Sequence, residues 1–466
     1  MNELTMELDV QSKTPLYEQI YNYIKRDIQS GKIQSKEKLP STRSLSVFLQ
    51  VSRSTVELAY EQLLSEGYIE SVPYRGYYVC EIEALCSSLP LQAPIQREAP
   101  LKKVEYEFDF SPNGIDLEHF PFNTWRKITK NTLMDDKKDM FQLGDSRGDP
   151  KLREAICNYL YQSRGVKCTA EQVIIGAGND YLLMLLRSFL GNDYLVAMEN
   201  PTYKQAYRMF EGLGFSVTTV NMDKNGMDVE KLKESRADIA YVMPSHQYPL
   251  GIVMPMKRRM ELLAWADASE NRYIIEDDYD SEFRYVGKPI PALQGYDKNG
   301  KVIYIGTFSK SIAPAIRVSY MVLPRRLMEV YRQYGSFISS TVSRIDQRIL
   351  EEFIRGGYFE RHLNRMRAVY KGKHDVLMEE MKKLSSICEV SGDRAGVHIL
   401  VRFKNGMTEK EIISQAAEAK VKVYGLSEYY IRPMKGSGNA TILMGYANLT
   451  ESQIRTAVER LREAWK

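Results

Sequence analysis

The sequence predicts two differently built parts, a small N-terminal α+β domain and a much larger α/β body with a mostly parallel sheet and a small C-terminal α+β lobe. Three observations predict this. Apolar residues recur at helical spacing between residues 15 and 66. From about residue 106, short apolar strands without alternation are separated by helices, which is typical of parallel strands covered on both faces. Between these parts, residues 81–105 contain three prolines and little periodicity, which predicts a linker.

Length and composition fit an ordinary globular protein of two or three domains. The chain has 466 residues, of which 44% are hydrophobic and 27% charged. Because it has no apolar run of bilayer length and its N-terminus is acidic and polar, we expect a cytoplasmic protein without membrane contact. The five cysteines are scattered and odd in number, which favours reduced thiols. Cys80 and Cys86 lack a matching second pair, so no metal site is predicted.

The first domain, predicted over residues 10–80, consists of three helices and a β-hairpin. Residues 15–32 carry isoleucines at helical spacing and form the first helix. Ser41 and Ser52 are suited to cap the second and third helices, and Gly67 to end the third in the left-handed conformation. Two short β runs, 68–71 and 76–80, then form a hairpin.

This domain is not basic overall. The first 79 residues contain nine Lys or Arg and ten Asp or Glu, and the whole chain has a net charge of +4. Bulk charge therefore does not indicate nucleic acid binding, and any such binding must come from a local patch.

Three segments of this domain nevertheless resemble the GntR-type winged helix-turn-helix, namely Leu39–Val56, Glu66–Ile69 and Arg75–Val79. The resemblance implies binding to a double-stranded DNA operator. It places Ser52, Arg53, Ser54 and Thr55 at the start of the recognition helix, Arg43 beside a backbone phosphate, and Arg75 and Gly76 at the tip of the wing. Gln50 departs from the family, which usually has glycine in that turn, at a cost of about 1 kcal/mol.

In the body, Lys310 is the most informative residue. It follows the acidic cluster Glu276–Asp280 by about thirty residues. A lysine amine can form a Schiff base with an aldehyde, and a carboxylate can keep a pyridine nitrogen protonated, so this pairing predicts a pyridoxal phosphate (PLP) site. The turn Gly176–Asp180 lies between a strand and a helix and is suited to bind the phosphate group.

Residues 106–466 resemble the fold-type I aminotransferase body of MocR/GabR-type regulators, with a small lobe from about residue 360. Four segments carry the match, Asn200–Tyr203, Pro244–Gly251, Glu276–Tyr285 and Thr307–Arg317. The resemblance implies that Lys310 forms the Schiff base, that Asp277 pairs with the pyridine nitrogen and that Tyr279 contacts the phenolic oxygen. Tyr203 would lie over the ring and His246 would line the pocket. Gly178, Asn179, Thr307 and Arg317 would surround the phosphate.

The same resemblance exposes departures from a working transaminase. Tyr248 stands where aminotransferases usually have asparagine, and Leu143 where a partner-subunit tyrosine reaches the phosphate. Leu443 stands where an arginine would bind the α-carboxylate of an amino acid, and Gln205 replaces a ligand-binding arginine. Arg432 or Lys435, in the loop before that strand, are the replacements that the sequence offers.

Three functional hypotheses remain open. The first is a homodimeric transcriptional regulator whose DNA affinity depends on PLP, alone or with a small amine or amino acid, and which controls vitamin B6 synthesis genes. The second is an active aminotransferase with an appended DNA-binding domain. The third is a scaffold that binds no cofactor. Intact residues for the lysine chemistry and an altered substrate anchor favour the first, with at most weak transaminase activity.

Overall fold

The computed structural model describes residues 6, 8–81, 105–134, 138–191, 193–285, 290–392, 395–433 and 440–466. The chain divides into two compact units, Met1–Lys103 and Val104–Lys466, which we call the reader and the body. The interior of the predicted linker, residues 82–104, and Lys435 lie outside the described residues.

The reader consists of three helices and a two-stranded antiparallel hairpin. Its helices are α1 (Leu16–Gln29), α2 (Thr42–Phe48) and α3 (Arg53–Ser65), and its strands are β1 (Ile69–Val72) and β2 (Gly76–Val79). The predicted caps are confirmed, because Ser41 accepts from the Ser44 amide and Ser52 from the Thr55 amide. Gly67 has the predicted positive φ of 75°. The apolar faces of the three helices form one core under the hairpin.

Two local features complete the reader. The backbone amides of Lys36 and Leu39 donate to Val79 and Tyr77, which ties the segment before α2 to the outer edge of β2. In the turn between α2 and α3, Gln50 has a φ of 54°, so the left-handed conformation expected there is present without a glycine.

The body is built on an eight-stranded sheet in the order β4-β11-β10-β9-β8-β5-β6-β7. The inner strands β6, β5, β8, β9 and β10 run parallel, whereas β7 and β11 are antiparallel to their neighbours. This agrees with the predicted mostly parallel sheet. The strands are β4 (Val173–Gly176), β5 (Leu195–Asn200), β6 (Ser216–Asp223), β7 (Gly226–Met227), β8 (Ile239–Val242), β9 (Tyr273–Asp278), β10 (Val302–Thr307) and β11 (Ser319–Val322).

Helices accompany this sheet along the chain, and apolar clusters fill the space on its two faces. A short strand, β3 (Phe108–Asp109), begins the body. The helices are α4 (Phe122–Met134), α5 (Pro150–Arg164), α6 (Asn179–Leu190), α7 (Lys204–Gly212), α8 (Val229–Glu234), α9 (Met256–Asp267), α10 (Arg325–Tyr334) and α11 (Arg344–Arg355).

The C-terminal part of the body forms a second, antiparallel sheet in the order β12-β13-β16-β15. The long helix α12 (Tyr358–Lys382) leads into it. The remaining elements are β12 (Cys388–Ser391), β13 (His398–Phe403), α13 (Glu409–Glu418), β14 (Val421–Lys422), β15 (Tyr424–Gly425), β16 (Thr441–Gly445) and α14 (Glu451–Ala464). Over the described residues, every helix is too short or too polar to cross a bilayer.

Candidate functional site

A cavity opens at the carboxyl ends of the parallel strands, where open α/β sheets usually bind ligands. It lies next to the ends of β5, β8, β9 and β10 and the start of α6. Its lining consists of Asn113, Gly178, Asn179, Asp180, Tyr203, Met243, Tyr248, Asp277, Tyr279, Thr307, Ser309, Lys310, Arg317 and Ser319. Eight of the nine residues predicted to bind the cofactor are therefore brought together in one cavity.

Lys310 is partly exposed and reaches this cavity from the loop after β10. Its Nζ lies 3.3 Å from Asn113 Oδ1 and 3.5 Å from the Pro112 carbonyl oxygen. Burial among protein atoms lowers its pKa to about 8, and the nearby Asp280 carboxylate opposes that shift. With this pKa about a tenth of the amine is uncharged at pH 7, far more than in an ordinary lysine, and the uncharged amine is the nucleophile.

Asp277 lies at the end of β9 with its carboxylate held at both oxygens. Asn179 Nδ2 donates to Oδ1 at 3.3 Å, and the buried Tyr241 hydroxyl donates to Oδ2. Burial raises the pKa of Asp277 to about 7, with smaller contributions from Asp278 and Asp280. The carboxyl group is thus fixed in place and titrates near neutrality, where a cationic partner would favour its charged form.

His246 lies behind the cavity rather than in its lining. Its Nδ1 is 2.8 Å from Asp280 Oδ2 and 3.0 Å from the Tyr279 hydroxyl. The imidazole is 97% buried beside Ser245 and Arg164. The structure therefore places His246 in contact with Tyr279, which itself faces the cavity, and the cofactor contact predicted for His246 stays a prediction.

The start of α6 forms a cradle with Arg317. Gly178 has a φ of 97°, and a Cβ built on it would lie 2.2 Å from Arg317 Nη2. Only glycine leaves the guanidinium its place there. Arg317 contacts the Ala177 carbonyl oxygen at 3.3 Å and Asp180 Oδ2 at 3.6 Å. Backbone amides at a helix N-terminus and a guanidinium together suit a phosphate.

Thr307 closes the same side of the cavity at the end of β10. Its hydroxyl accepts hydrogen bonds from the Ser309 amide at 3.1 Å and from Ser319 Oγ at 2.8 Å. Ser319 is fully buried on the neighbouring strand β11. These contacts orient Thr307 and Ser309 beside Lys310.

Tyr203 and Tyr248 form an aromatic part of the cavity lining. The rings of Tyr203 and Tyr248 pack edge to face with centroids 5.9 Å apart. Burial raises the pKa of Tyr203 to about 12, so its hydroxyl remains protonated. The Tyr248 hydroxyl donates to the Tyr429 hydroxyl at 3.1 Å. The residue at the position usually taken by asparagine is therefore hydrogen-bonded to a second tyrosine.

The predicted DNA contacts lie in three places of the reader, in the first turn of α2, at the start of α3 and at the tip of the hairpin. Arg43, Arg53 and Arg75 are exposed. Arg53 Nε also contacts Glu57 Oε1 at 2.7 Å, one helical turn further along α3. Ser52 has a structural task as well, because its hydroxyl contacts those of Ser54 and Thr55 at 2.8 and 2.7 Å.

Sequence reasoning missed two residues that support the cavity. Tyr241 lies in the middle of the apolar strand β8, and its hydroxyl donates to Asp277. The one signal in the sequence is that a buried tyrosine hydroxyl needs a hydrogen-bond partner. Asn113 is 197 residues away from Lys310 in the chain, and no local pattern connects them.

The fold and the cavity define a class of protein in which a DNA-binding reader is joined to an aminotransferase-like body. Family comparison agrees on both parts. Residues 16–79 match the model of bacterial regulatory proteins of the gntR family, and residues 108–461 match the model of aminotransferase class I and II.

Relatives share this whole arrangement. The chain is 40% identical to the uncharacterized HTH-type transcriptional regulator YdeL of Bacillus subtilis over 97% of both chains. It is 31% identical to the probable rhizopine catabolism regulatory protein MocR of Rhizobium meliloti, covering 98% of this chain and 95% of MocR. It is 27% identical to the pyridoxine biosynthesis transcriptional regulator PdxR of Corynebacterium glutamicum over 99% and 98%. The chain belongs to this family of HTH-type transcriptional regulators with a GntR reader and an aminotransferase class I and II body.

The fold of the body is also that of a solved enzyme. The multiple substrate aminotransferase of Thermococcus profundus superposes with a TM-score of 0.69 at 24% identity, covering 82% of this chain and 98% of the enzyme. The family's cofactor is PLP. The residues present fit it, because the glycine-bounded cradle at Arg317, the lysine with a lowered pKa and the fixed carboxylate of Asp277 lie in one cavity.

Proposed function

We propose that this protein is a transcriptional regulator whose DNA affinity changes when the body binds PLP. The observation that carries the proposal is the division of charges in the cavity. Its described lining contains two cations, Lys310 and Arg317. Lys310 is suited to the aldehyde and Arg317 to the phosphate, so within this lining neither remains to anchor the carboxylate of an amino acid.

The position of the carboxylate-binding arginine and the cation near it in the sequence support this view. Leu443 is fully buried in β16 and pairs with Leu400 and Tyr424, so an apolar side chain fills the position. Arg432 is exposed and is not part of the described lining, while its backbone amide and carbonyl both contact the Asn200 side chain.

PLP supplies an aldehyde for the lysine and a ring that withdraws electrons. The residues of the cavity would bind PLP and orient it. Asp277 would hold the pyridine nitrogen in its protonated form, Tyr279 would donate to the phenolic oxygen, and Tyr203 would contact the ring. Arg317 and the amides at the start of α6 would bind the phosphate.

We infer that PLP itself is the effector, alone or with a small amine or amino acid, and that the regulated genes include those of vitamin B6 synthesis. The relative PdxR is a pyridoxine biosynthesis transcriptional regulator, which supports this choice. As a DNA-binding regulator the protein would act in the cytoplasm.

We also propose that the body forms a homodimer. Large apolar side chains of the body are exposed, among them Phe141, Leu143 and Phe337 at 77%, 91% and 79%. Exposed apolar residues of this size favour burial against a second copy. Sedimentation at micromolar concentration tests this, and a monomer would contradict it.

The test of the proposed function is a fluorescence-anisotropy titration with a DNA duplex from upstream of the protein's own coding sequence. It is run at fixed salt with cofactor-free protein, with PLP, and with PLP plus an amino-acid pool. We expect PLP alone to shift the affinity of the wild-type protein but not that of Lys310→Ala. Lys410→Ala, at an exposed lysine of α13, is the matched control and should respond like wild type.

The active aminotransferase is the second candidate, favoured by the intact set of cofactor residues in the cavity. Steady turnover of amino acids with a keto acid, lost in Lys310→Ala, would support it. If PLP leaves the affinity for DNA unchanged in the anisotropy titration, the proposed regulatory function is contradicted.

A further inference from the structure

Two cysteines of the body lie side by side at the turn that follows α5. The helix ends at Gly165, whose φ of 66° turns the chain back, and the Val166 amide donates to the Leu160 carbonyl at 3.3 Å. The returning segment brings Cys168 beside Cys157, with the two sulfur atoms 3.4 Å apart. Both thiols are free and partly exposed. The reversal of the chain at the helix end therefore produces the pair.

The segments that carry these cysteines are also joined by Arg153. This residue lies one helical turn before Cys157 and is almost fully buried. Its Nη1 donates to the Ala170 carbonyl at 2.6 Å, and its Nε donates to the Gly148 carbonyl at 3.0 Å. Because Ala170 follows Cys168 by two residues, this contact keeps the returning segment against α5. The two sulfur atoms thus stay within reach of each other while the thiols are reduced.

The two thiols differ in their electrostatic surroundings. The Cys168 thiol donates to the Cys157 sulfur, and this hydrogen bond lowers the pKa of Cys157, which burial opposes and the positive charge of Arg153 supports. The same hydrogen bond and burial raise the pKa of Cys168. Because the thiolate is the nucleophile, Cys157 is the sulfur that reacts first, and Cys168 is placed to attack the product.

We propose that Cys157 and Cys168 form a reversible disulfide when the protein meets a hydroperoxide. Both cysteines lie outside the described lining of the cofactor cavity, so this is a second reactive site of the body. The reduced thiols that the sequence predicts are its resting form. Disulfides in reduced compartments are transient and respond to oxidants, which fits a pair of free thiols held in contact.

The reaction with hydrogen peroxide proceeds in two steps. The Cys157 sulfur attacks one peroxide oxygen, the O–O bond breaks, and the departing hydroxide takes up the thiol proton to become water. The Cys168 sulfur then attacks the sulfur of the resulting sulfenic acid, the S–O bond breaks, and a second water leaves with the Cys168 proton. Two thiols are oxidised and one peroxide is reduced. A dithiol restores both thiols by exchange and becomes a disulfide itself.

Cys388 provides an internal comparison. It is buried, and its thiol donates to the Leu384 carbonyl at 3.3 Å. Burial raises its pKa to about 11, so little thiolate is present near neutral pH. We therefore expect Cys388 to stay reduced at peroxide concentrations that oxidise the pair.

The test uses the full-length protein, which is reduced with dithiothreitol, freed of it and titrated with hydrogen peroxide while folded. Free thiols are then alkylated in denaturant and the chain is digested with trypsin, which separates Cys157 in peptide 154–164 from Cys168 in peptide 168–187. Mass spectrometry should find these two peptides linked, lighter by two hydrogen atoms than their sum. We expect the link to form about ten times faster than Cys388 loses its thiol, and to disappear after dithiothreitol is added again.

Serine variants distinguish the roles of the two cysteines. In Cys168→Ser, Cys157 should stop at the sulfenic acid, which dimedone labels, whereas in Cys157→Ser the Cys168 thiol should stay open to alkylation. Cys80→Ser, at a partly exposed cysteine of the reader, is the matched control and should form the link like wild type. The proposal is overturned if Cys157 and Cys168 stay reduced until Cys388 reacts, or if the linked peptides form only in denaturant. Both of these outcomes are measured on the wild-type chain, so they do not depend on the folding of a variant.

Discussion

Replacing Gly178 by alanine should lower both the affinity for PLP and the stability of the body, and a control at Gly191 distinguishes the two effects. Gly178 has φ 97° and ψ 166°, a region that only glycine occupies easily, and alanine there costs about 1–3 kcal/mol of stability. The new Cβ would also lie 2.2 Å from Arg317 Nη2 and 2.8 Å from its Cζ, so the guanidinium must move. A lost charge-assisted hydrogen bond to the phosphate is worth about 1.5–3 kcal/mol. We therefore expect PLP affinity to fall about 10- to 150-fold.

Gly191, at the other end of the same helix, provides a matched control. It has φ 82° and ψ −171°, and a Cβ there would meet nothing within 4 Å. Gly191→Ala should therefore lose similar stability and keep its PLP affinity. Absorbance titration of cofactor-free protein with PLP, beside denaturant unfolding, measures both quantities. Wild-type affinity in Gly178→Ala, or an equal loss in Gly191→Ala, would refute the cradle.

Two further predictions concern stability. Gln50→Gly should raise the free energy of unfolding of the reader by about 1 kcal/mol, because it removes a left-handed glutamine, and a lower melting temperature would contradict this. Burial raises the pKa of Asp277 from 3.8 to about 7, so the folded, cofactor-free body holds a proton that the unfolded chain releases. The stability contributed by Asp277 is complete below pH 3.8 and is lost as the pH rises through about 7. Denaturant unfolding at pH 5 and pH 8 should show a smaller difference for Asp277→Asn than for wild type, whereas exposed Asp267→Asn should match wild type.

Local signals in the sequence predicted the elements, and contiguous motifs predicted most of the cavity. Ser41 and Ser52 were predictable as caps because a capping residue acts on amides two or three positions away. Gly178 and Arg317 come from short segments beside strand ends, which a parallel sheet gathers at one edge.

The cavity contacts that the sequence did not predict depend on how separate strands pair and pack, which no short segment encodes. Tyr241 reaches Asp277 only because β8 and β9 pair in the register that sets Tyr241 beside Ile275. His246 belongs to a motif next to the cavity, but in the structure its Nδ1 contacts Asp280 Oδ2 and the Tyr279 hydroxyl. Side-chain direction at that position follows from tertiary packing, which the sequence pattern does not contain.

The run of three acidic residues that ends β9 has a consequence for the accuracy of folding. Successive residues of a strand face opposite sides, so a slip by one position would turn Asp277 away from the cavity and present a neighbouring carboxylate instead. Each neighbour has its own partner on the far side. Arg164 Nε donates to Asp278 Oδ2 at 2.8 Å, and the amides of Leu293 and Gln294 donate to Glu276, each at 2.8 Å. After a slip by one position, Asp277 could meet only one of these two sets of partners, and the other set, the buried guanidinium or the two amides, would lose its carboxylate. The far side of the sheet therefore selects the carboxylate that faces the cavity.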